Sequence, residues 1–489
     1  MESVALPTND KKVVEKAENG WMCPEFKVSG AFSSHMVLQR EKPIKIWGFS
    51  TAHGKKVFCS FANREKECVV GDDGKWVITL PPMPYNRDGQ TMKIYDEVGH
   101  EVVFEDILIG DVWLIGGQSN AELTLAPCMS ITPSVEFYEE EKIRLFTQTQ
   151  AYVYNNQRFC DYPQPDIINP EWCWKTPTRE ACYSFSAIGF YFAREVSRLS
   201  DVPQGMIMMA AGGACVRELW PEHIAHSEGY HYGANVRESG YYNALIHPFI
   251  GLSFKAMIFF QGESEGGSRE LAEKYTYELA LLVADERRSF GFEFPFYNVQ
   301  ISSYREEGGM HFPYLHMIRM KQFEAQYVIP NSTLSVSMDL ESPADYPDWA
   351  HSPRKLEVAE RLSKLALAKE YGIGRESEVS SPMPTQVYYD EDSKQIVIDF
   401  KDVSAGLTSL GHTPVDSIGM EVYGFSVGDI DNMVDARATI GGRSSVIVEV
   451  PDGVNPTHVN YAYYIRITEE NATLRGGNNL PCPAFSLKI

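Results

Sequence analysis

Between residues 106 and 375, short apolar runs alternate with helical patterns. The runs DVWLIGG, GMIMMAAGG, AMIFFQGES, FPFYNVQIS and STLSVSMD end in small or polar residues. Amphipathic segments such as FYFAREVSRLS and PRKLEVAERLSKLALAKEYG lie between them. Apolar strands that alternate with such helices indicate a parallel sheet buried between two helical layers. Because ligands bind at the carboxyl ends of the strands in these folds, the residues that follow the apolar runs are the first candidates for function.

Two regions of shorter strands flank this segment. Residues 26–105 contain runs such as PIKIWGF, KKVFCSF and KWVIT, separated by the turn signals REKP, TAHG, GDDG and NRDG. This spacing is typical of an all-β sandwich of about seven strands. Residues 376–489 return to short strands, which either form their own module or complete the first one. We therefore predict an N-terminal lead over 1–25, an all-β domain over 26–105, an α/β domain over 106–375 and an all-β region over 376–489.

The charge of the chain limits its partners. Acidic residues outnumber basic residues by 66 to 44, which gives a net charge of −22. Nucleic acids and anionic membranes bind positive protein surface, so neither is expected as the main partner. The N-terminal residues mix charges and lack the apolar core of a signal peptide, and no run approaches the ~20 apolar residues of a membrane span. We expect a cytoplasmic protein.

The nine cysteines are scattered along the chain, without a CxxC pair or the spacing of a zinc site. We expect them to be reduced and mostly buried. No cluster of histidine, cysteine and carboxylate residues has ligand spacing, so no metal is predicted.

The segment DVWLIGGQSNAEL, residues 111–123, contains the strongest candidate for a reactive side chain. Its two glycines let the backbone turn tightly behind the strand, and Ser119 follows at a junction between strand and helix. A serine placed there lies at the carboxyl edge of the sheet, near backbone N–H groups that can hold an anion. A plain turn with a serine cap explains the same residues, so this motif needs support from others.

A second motif lies in YPDWAHSPRKLEVAERL, residues 346–362. Asp348 and His351 stand three residues apart, just before a helix led by Pro353. A histidine can accept the proton of a serine while a carboxylate orients its other ring nitrogen. The alternative is a turn begun by Asp348, with His351 as an incidental surface residue.

Two further strand ends offer hydrogen-bond donors. The segment AMIFFQGESEGG places Gln261 where a side-chain amide can donate to a developing oxyanion. The segment MMAAGGACVRELW offers the backbone N–H of Gly212 or Gly213. In the same segment, Arg217 either forms a surface ion pair or binds a substrate carboxylate.

Two other side chains have both a structural and a functional interpretation. His247, in ALIHPF, is a rival for the general base, although a structural histidine is the favoured interpretation in that apolar run. Trp220 either packs in the core or stacks on a sugar.

In combination and order, these motifs resemble the sialate O-acetylesterase family of the SGNH (GDSL-like) hydrolases. The similarity covers nearly the whole chain. It is carried by FSSHMVLQREKPIKIWGFS, GDDGKWVITLPPM, GDVWLIGGQSN, the two glycines and tryptophan of residues 212–220, YYNALIHPFIGLSFKAMIFFQGES and HSPRKLEVAERLSKLAL. The resemblance implies a flavodoxin-like, three-layer α/β/α domain with a parallel sheet, flanked by all-β, sandwich-like regions.

The resemblance also implies a role for each motif. Ser119 matches the nucleophile, His351 the general base and Asp348 the acid that orients this base. The oxyanion hole would consist of the N–H groups of Ser119 and Gly213 and the side chain of Gln261. The candidate substrate-binding residues are Gln118, Asn120, Arg217 and Glu263. The implied reaction is acyl transfer through Ser119, and it needs no metal or organic cofactor.

The chain departs from the family pattern in three places that concern the pocket, one of which is a loop between Gly213 and Trp220 that is one residue longer than is common. Ala121 stands where the family usually has methionine, and Ser352 separates the histidine from the proline that usually follows it. These differences affect the shape of the pocket and the choice of substrate more than the chemistry.

The sequence thus predicts a carbohydrate O-acetylesterase that acts on acetylated sialic acids or acetylated oligosaccharides. The alternative is a non-catalytic carbohydrate-binding protein on the same fold, which would not need Ser119, Asp348 and His351 together. An esterase for apolar acyl chains also stays open. A homodimer is expected only because dimers are common.

Overall fold

The chain folds around a central, mostly parallel sheet with helices and two adjoining all-β regions. This structure is a computed structural model, and it describes residues 23–132, 136–137, 141–148, 160, 162–228, 239–305, 312–430 and 432–489. The architecture confirms the predicted α/β fold class with additional all-β regions. Most of the proposed N-terminal lead, residues 1–22, lies outside the described residues.

The N-terminal region consists of strands that pair mainly in antiparallel fashion. Their bounds are β1 Phe26–Val28, β2 Val37–Gln39, β3 Ile44–Ser50, β4 Lys56–Phe61, β5 Arg64–Val69, β6 Lys75–Leu80, β7 Asn86–Asp96 and β8 Glu101–Gly117. The order β1-β3-β6 forms one sheet, while β4 pairs with β5 and β7, and β7 pairs with β8. Residues alternate between exposed and buried along β6, because successive side chains of a strand point to opposite faces.

The central sheet has the strand order β10-β9-β11-β8-β12-β13-β14. The bounds of its other strands are β9 Ile143–Phe146, β10 Trp174–Lys175, β11 Gln204–Met208, β12 Ala256–Phe260, β13 Phe296–Gln300 and β14 Ser332–Val336. All neighbours are parallel except β9 and β10. Every residue of β11, β12 and β13 is buried, as expected for parallel strands that are covered on both faces.

The helices follow the amphipathic segments of the sequence. Their bounds are α1 Ser119–Glu122, α2 Leu125–Cys128, α3 Arg179–Tyr183, α4 Ala187–Ser200, α5 Glu222–Ser227, α6 Arg269–Phe290, α7 Leu315–Val328, α8 Lys355–Tyr371 and α9 Glu376–Val379. Helix α4 packs against α8, and α6 packs against α7. Within the described part of the chain, no helix is both long and apolar enough to cross a membrane.

Strand β8 belongs to two sheets at once. It pairs antiparallel with β7 along its first half and parallel with β11 and β12 along its second half. Its residues change from alternating exposure to continuous burial at Ile107. In its middle, the buried Asp111 carboxylate accepts hydrogen bonds from Gln39, Arg40 and the Tyr371 hydroxyl. The predicted boundary between residues 105 and 106 therefore falls inside one continuous strand.

The C-terminal region packs around a second hydrophobic core, which it shares with α7 and β14. Its strands are β15 Met383–Asp390, β16 Gln395–Lys401, β17 Leu407–Ser409, β18 Glu421–Val422, β19 Phe425–Asp429, β20 Asn432–Asp435, β21 Ala438–Gly442, β22 Ser445–Glu449, β23 His458–Tyr461, β24 Leu474–Gly476 and β25 Phe485–Lys488. Its core includes Met320 and Phe323 of α7, whereas the N-terminal strands share one core with the α/β domain. The nine cysteines, all of which are described, form no disulfide.

Gly117 gives a first testable prediction, because a side chain has no room at the end of β8. Gly117 has a φ of +123°, and a Cβ there would lie 2.1 Å from the carbonyl oxygen of Phe260. We expect Gly117→Ala to lower the thermal midpoint markedly. The positive φ is unfavourable for alanine, and the new methyl group would clash with the neighbouring strand β12. Gly99→Ala is the control, since Gly99 has a similar φ of +114° with open space around it, and it should cost only about 1 kcal/mol. Equal losses in the two variants would contradict the proposed close approach of β8 and β12.

Candidate active site

Ser119 lies at the carboxyl end of β8, as its position in the sequence predicts. The chain turns at Gly117 and enters the short helix α1 at Ser119. The Gln118 N–H donates to the carbonyl oxygen of Phe260, which fixes this turn against the end of β12. The serine is half-buried and therefore stays accessible at the edge of the sheet.

The structure brings Ser119, His351 and Asp348 together. His351 Nε2 lies 2.8 Å from Ser119 Oγ, and His351 Nδ1 lies 2.8 Å from Asp348 Oδ2. Burial favours a higher pKa for the Asp348 carboxyl group, but the His351 side chain and the N–H groups of His351 and Ala350 hydrogen-bond to it. The result is a pKa below the ordinary value, so this carboxylate stays ionised at neutral pH. The arrangement is that of a nucleophile, a base and an orienting acid.

The loop that carries Asp348 and His351 is held in place by hydrogen bonds from Arg305. This guanidinium group donates to the carbonyl oxygens of Ala344 and Tyr346 at 2.6 and 2.7 Å. The Ser342 hydroxyl donates to the carbonyl oxygen of Asp348 at 2.7 Å. These hydrogen bonds fix the loop, which among the described residues has no hydrogen-bonded strand partner to hold it in place.

Two of the three predicted oxyanion donors are available. Within the described residues, the N–H groups of Ser119 and Gly213 have no protein acceptor. Gly213 is exposed and has a φ of +78°, which lets the backbone present this N–H at the edge of the sheet. The N–H of Gly212 instead donates to Glu122, so Gly213 is the free donor of the pair.

The structure differs from the sequence prediction at the third donor. Gln261 is fully buried, and its Nε2 lies 3.1 Å from Gln118 Oε1, 3.1 Å from the carbonyl oxygen of Ala214 and 2.5 Å from Glu265 Oε2. An amide nitrogen carries two hydrogens, and both are used by these acceptors. The Gln261 side chain therefore braces the strand end instead of facing the reaction.

Gln118 has a similar bracing role, which corrects its predicted substrate contact. Its Oε1 accepts hydrogen bonds from Gln261 Nε2 and from the backbone N–H groups of Gly262 and Ser264. Its side chain thereby joins the nucleophile turn to the loop after β12.

Asn120 and Glu263, also predicted at the substrate, lie in a buried polar cluster behind Ser119. Asn120 Nδ2 donates to Glu263 Oε1 at 2.6 Å, and Asn120 Oδ1 accepts from Lys355 Nζ at 2.7 Å. The three residues are only 2%, 1% and 1% exposed, so a bound substrate would not reach them. Asn120 Nδ2 also lies near the Tyr304 hydroxyl and the Ala350 carbonyl oxygen, at 3.2 and 3.3 Å. The cluster thus connects the residue after the nucleophile to the residue before the base.

Lys355 is the member of this cluster that the sequence analysis missed. It is the first residue of α8, where a positive charge is unfavourable because the helix dipole is positive at that end. That unfavourable position is the signal that could have drawn attention to it. Burial lowers the pKa of its amine to about 8, although nearby Cys128 and Glu263 act in the opposite direction.

The three other candidate site residues make structural contacts inside the protein. Arg217 is buried, and its Nε and Nη2 donate to Glu278 Oε1 at 2.8 and 2.5 Å, which corrects its predicted contact with substrate. Trp220 is fully buried in the core. His247 Nδ1 lies 2.8 Å from the carbonyl oxygen of Gln164, and burial lowers the pKa of this imidazole.

Aromatic side chains next to the triad form a feature that no motif indicated. Trp349 is half-buried and lies two residues before His351. Its ring meets Tyr304 edge to face at 5.8 Å, and Tyr304 meets Phe312 at 6.1 Å.

Among the described residues, histidine, cysteine and carboxylate side chains form no group of three that could hold a metal ion.

Comparison with known proteins places this geometry in a family. The family model described as carbohydrate esterase, sialic acid-specific acetylesterase, matches residues 109–367, more than half of the chain. The chain belongs to this family of carbohydrate esterases. The resemblance inferred from the sequence is thereby confirmed, and the protein is a carboxylic ester hydrolase. Ser119, Gln261 and His351 all fall within the matched range.

Individual relatives of this carbohydrate esterase support the same assignment. The sialate O-acetylesterases of Pongo abelii and Homo sapiens are each 26% identical, over 403 and 404 residues, which is 74% of this chain and 74% of each relative. Among solved structures, a carbohydrate acetylesterase from Xanthomonas citri matches with a TM-score of 0.79 at 24% identity. The match covers 94% of this chain and 99% of that one, so the two share the whole fold, including both all-β regions.

The buried cluster of this carbohydrate esterase gives a second prediction. Lys355→Met removes the donor to Asn120 Oδ1 and leaves a buried acceptor without a partner. We expect the free energy of unfolding to fall by about 1–3 kcal/mol and the hydrolysis of 4-nitrophenyl acetate to slow, because Asn120 follows the nucleophile directly. Urea denaturation and initial rates measure the two effects. Lys364→Met, on the exposed face of the same helix, is the matched control, and equal behaviour of the two variants would refute the bracing role.

The buried Glu265 of this carbohydrate esterase gives a prediction on pH and stability. Burial raises the pKa of its carboxyl group to about 8, against the hydrogen bonds from Val216 and Gln261. An unfolded glutamate titrates near ~4.3, so the folded state binds more protons between these values. The contribution of the protonated Glu265 carboxyl group to the free energy of unfolding is therefore fully present at low pH, and it is lost as the pH rises towards 8.

Glu265→Gln removes this titration. We expect the thermal midpoint of the variant to decline less than that of the wild type between pH ~4.5 and ~8. Glu270→Gln, a change of an exposed carboxylate on α6, should keep the wild-type decline. An unchanged pH profile in Glu265→Gln would show that Glu265 is ionised throughout this range.

Proposed function

We propose that this esterase removes acetyl groups from sugars through an acyl-enzyme formed on Ser119. The observation that carries the proposal is the continuous chain of contacts from Ser119 Oγ through His351 to Asp348, with both distances at 2.8 Å. A side-chain hydroxyl is a weak nucleophile until a base removes its proton. His351 lies within hydrogen-bond distance of that proton, and Asp348 stabilises the imidazolium that forms.

The first half of the proposed reaction forms the acyl-enzyme. His351 Nε2 takes the proton of Ser119 while Oγ attacks the acetyl carbonyl carbon. The negative charge that develops on the carbonyl oxygen receives hydrogen bonds from the N–H groups of Ser119 and Gly213, which have no protein acceptor among the described residues. Donors of this kind contribute roughly 10²–10³ each to the rate. The sugar oxygen then leaves with the proton from His351, and Ser119 stays acetylated.

The second half repeats the chemistry with water as the nucleophile. His351 removes a proton from water, which attacks the acetyl carbonyl carbon, and the same two N–H groups hold the oxyanion. Collapse of the intermediate breaks the bond to Ser119 Oγ and releases acetate, and His351 returns its proton to the serine. The protein's own residues supply each proton transfer.

The proposed substrate class is acetylated sialic acids or acetylated oligosaccharides. The sialate O-acetylesterases found as relatives support a sugar substrate. The half-buried Trp349 offers an aromatic face next to His351, on which a sugar ring can pack. Arg217 is no longer a candidate for a substrate carboxylate, because it is buried against Glu278.

The main alternative is a carbohydrate-binding protein without catalysis. Such a protein would need no serine, histidine and carboxylate within hydrogen-bond distance of one another, and no free N–H groups beside the serine. The triad geometry therefore favours the esterase.

Acetate release tests the proposed function. Wild type and Ser119→Ala are compared on 9-O-acetylated sialic acid and on acetylated xylo- and manno-oligosaccharides. We expect the wild type to release acetate from at least one of these substrates and Ser119→Ala to lose at least ~10³-fold in kcat, because the nucleophile is gone. Asp348→Asn should lose activity while it stays folded. Substrate binding that is unchanged in Ser119→Ala, without any turnover by the wild type, would support the binding-protein alternative.

A further inference from the structure

A cavity lies between α7 and the C-terminal strands, and Ser119 is not among the residues that line it. It has a volume of about 950 Å³ and is open to solvent along one side. We call it the α7 groove. Its walls include Tyr314, His316, Met317, Tyr327, Asn460 and Tyr463. The α/β domain and the C-terminal region both contribute to it, as is common for ligand sites at the boundary of two units.

Two polar groups at this groove lack a protein partner. Within the described residues, Asn460 Oδ1 and His316 Nδ1 are buried without a hydrogen bond. Asn460 is only 1% exposed, although it lines the groove. A buried polar atom without a partner costs about 1–3 kcal/mol, so native proteins rarely keep one unless a ligand or water satisfies it.

His316 is held as a neutral ring. Burial and the nearby Arg319 lower the pKa of its imidazole to about 4, so it carries no charge at neutral pH. Its ring meets Tyr463 edge to face, with the ring centroids 4.5 Å apart. A neutral imidazole offers one donor and one acceptor, which suits a hydroxyl group and not a second charge.

Four charged side chains around the groove form two pairs, and Lys488 also lines the groove. Arg269 contacts Glu273 at 2.8 Å, and Lys321 contacts Glu324 at 2.7 Å. The two pairs cancel and leave Lys488 as a single positive charge among the lining residues. Aromatic rings, thioethers, an amide and a neutral imidazole together fit a ligand with apolar faces and many hydroxyl groups. Among common ligands, a neutral sugar ring has this combination.

The groove is connected to the active site through one loop. The N–H of Tyr314 donates to the carbonyl oxygen of Gly266 at 3.0 Å. Two residues earlier, the N–H of Ser264 donates to Gln118 Oε1 at 3.2 Å, directly before the nucleophile. The Tyr314 end of the groove and the turn that carries Ser119 are thus both held by the loop after β12.

We propose that the α7 groove binds the non-reacting sugar units of a neutral, acetylated oligosaccharide. The inference rests on the proposed function for the identity of the reaction, but sugar binding in the groove is measurable without turnover. The inference restricts the proposed substrate to an acetylated oligosaccharide and excludes a single acetylated sugar as the preferred substrate. The Tyr314 end of the groove is hydrogen-bonded to the loop after β12, and the groove extends to the C-terminal strands.

Calorimetric titration of Ser119→Ala with unacetylated xylohexaose and mannohexaose tests the groove directly. In that background, His316→Phe keeps the ring against Tyr463 and removes the polar nitrogens, and Tyr327→Ala removes an aromatic face. We expect each change to weaken the binding of one hexasaccharide about tenfold. Tyr388→Ala is the matched control, because Tyr388 is 53% exposed against 48% for Tyr327 and lies outside the groove. This variant should bind as the parent does.

Steady-state kinetics give the second readout. With Ser119 intact, His316→Phe and Tyr327→Ala should raise KM for an acetylated hexasaccharide about tenfold, while kcat and the hydrolysis of 4-nitrophenyl acetate stay unchanged. Loss of turnover in every variant and in the wild type would refute the proposed function but not the groove. Absence of hexasaccharide binding at about 1 mM, or equal affinity in all three variants, would overturn the groove proposal. A higher thermal midpoint in His316→Phe with unchanged binding would also overturn it, and would identify a hydrated cavity.

Discussion

The amide of Asn120 connects the segments that carry Ser119 and His351. It contacts Glu263 after β12, Tyr304 after β13, the Ala350 carbonyl oxygen before the base, and Lys355 at the start of α8. Asn120 follows Ser119 directly, and Ala350 precedes His351. The 2.8 Å hydrogen bond between Ser119 and His351, which lie far apart in sequence, therefore depends on this buried polar cluster. Each group in such a cluster must keep its partners, because an unpaired polar group is costly in a low dielectric.

The fold class and the positions of Ser119, Asp348 and His351 on their elements could be predicted from the sequence, for physical reasons. Strands covered on both faces have continuous apolar runs, and their carboxyl ends meet at one edge, so Ser119 and Gly213 could be placed there. The three-residue spacing of Asp348 and His351 lets one loop present both side chains. These features are local, and local patterns survive in the linear sequence.

The remaining features depend on contacts between distant segments. Gln261 stands at the expected strand end, but the acceptors that surround it come from Gln118, Ala214 and Glu265, and they turn its amide inward. The ion pair of Arg217 depends on Glu278, 61 positions later in the chain. Residue type and position on an element could be predicted, whereas the direction of a polar side chain was decided by its partners in space.

The two all-β regions relate to the catalytic domain in different ways, and strand β8 accounts for the difference. It is one unbroken strand, Glu101–Gly117, that begins in the N-terminal sheet and ends two residues before Ser119. The C-terminal region instead follows α8 and α9 through a loop and packs around a core that it shares with α7 and β14. In evolution, recombination at that loop would exchange the C-terminal region without cutting a strand, but the replacement would have to cover the apolar side chains of α7 and β14. The N-terminal region is more tightly bound to the domain, because a crossover at the predicted boundary would cut the strand that ends two residues before Ser119.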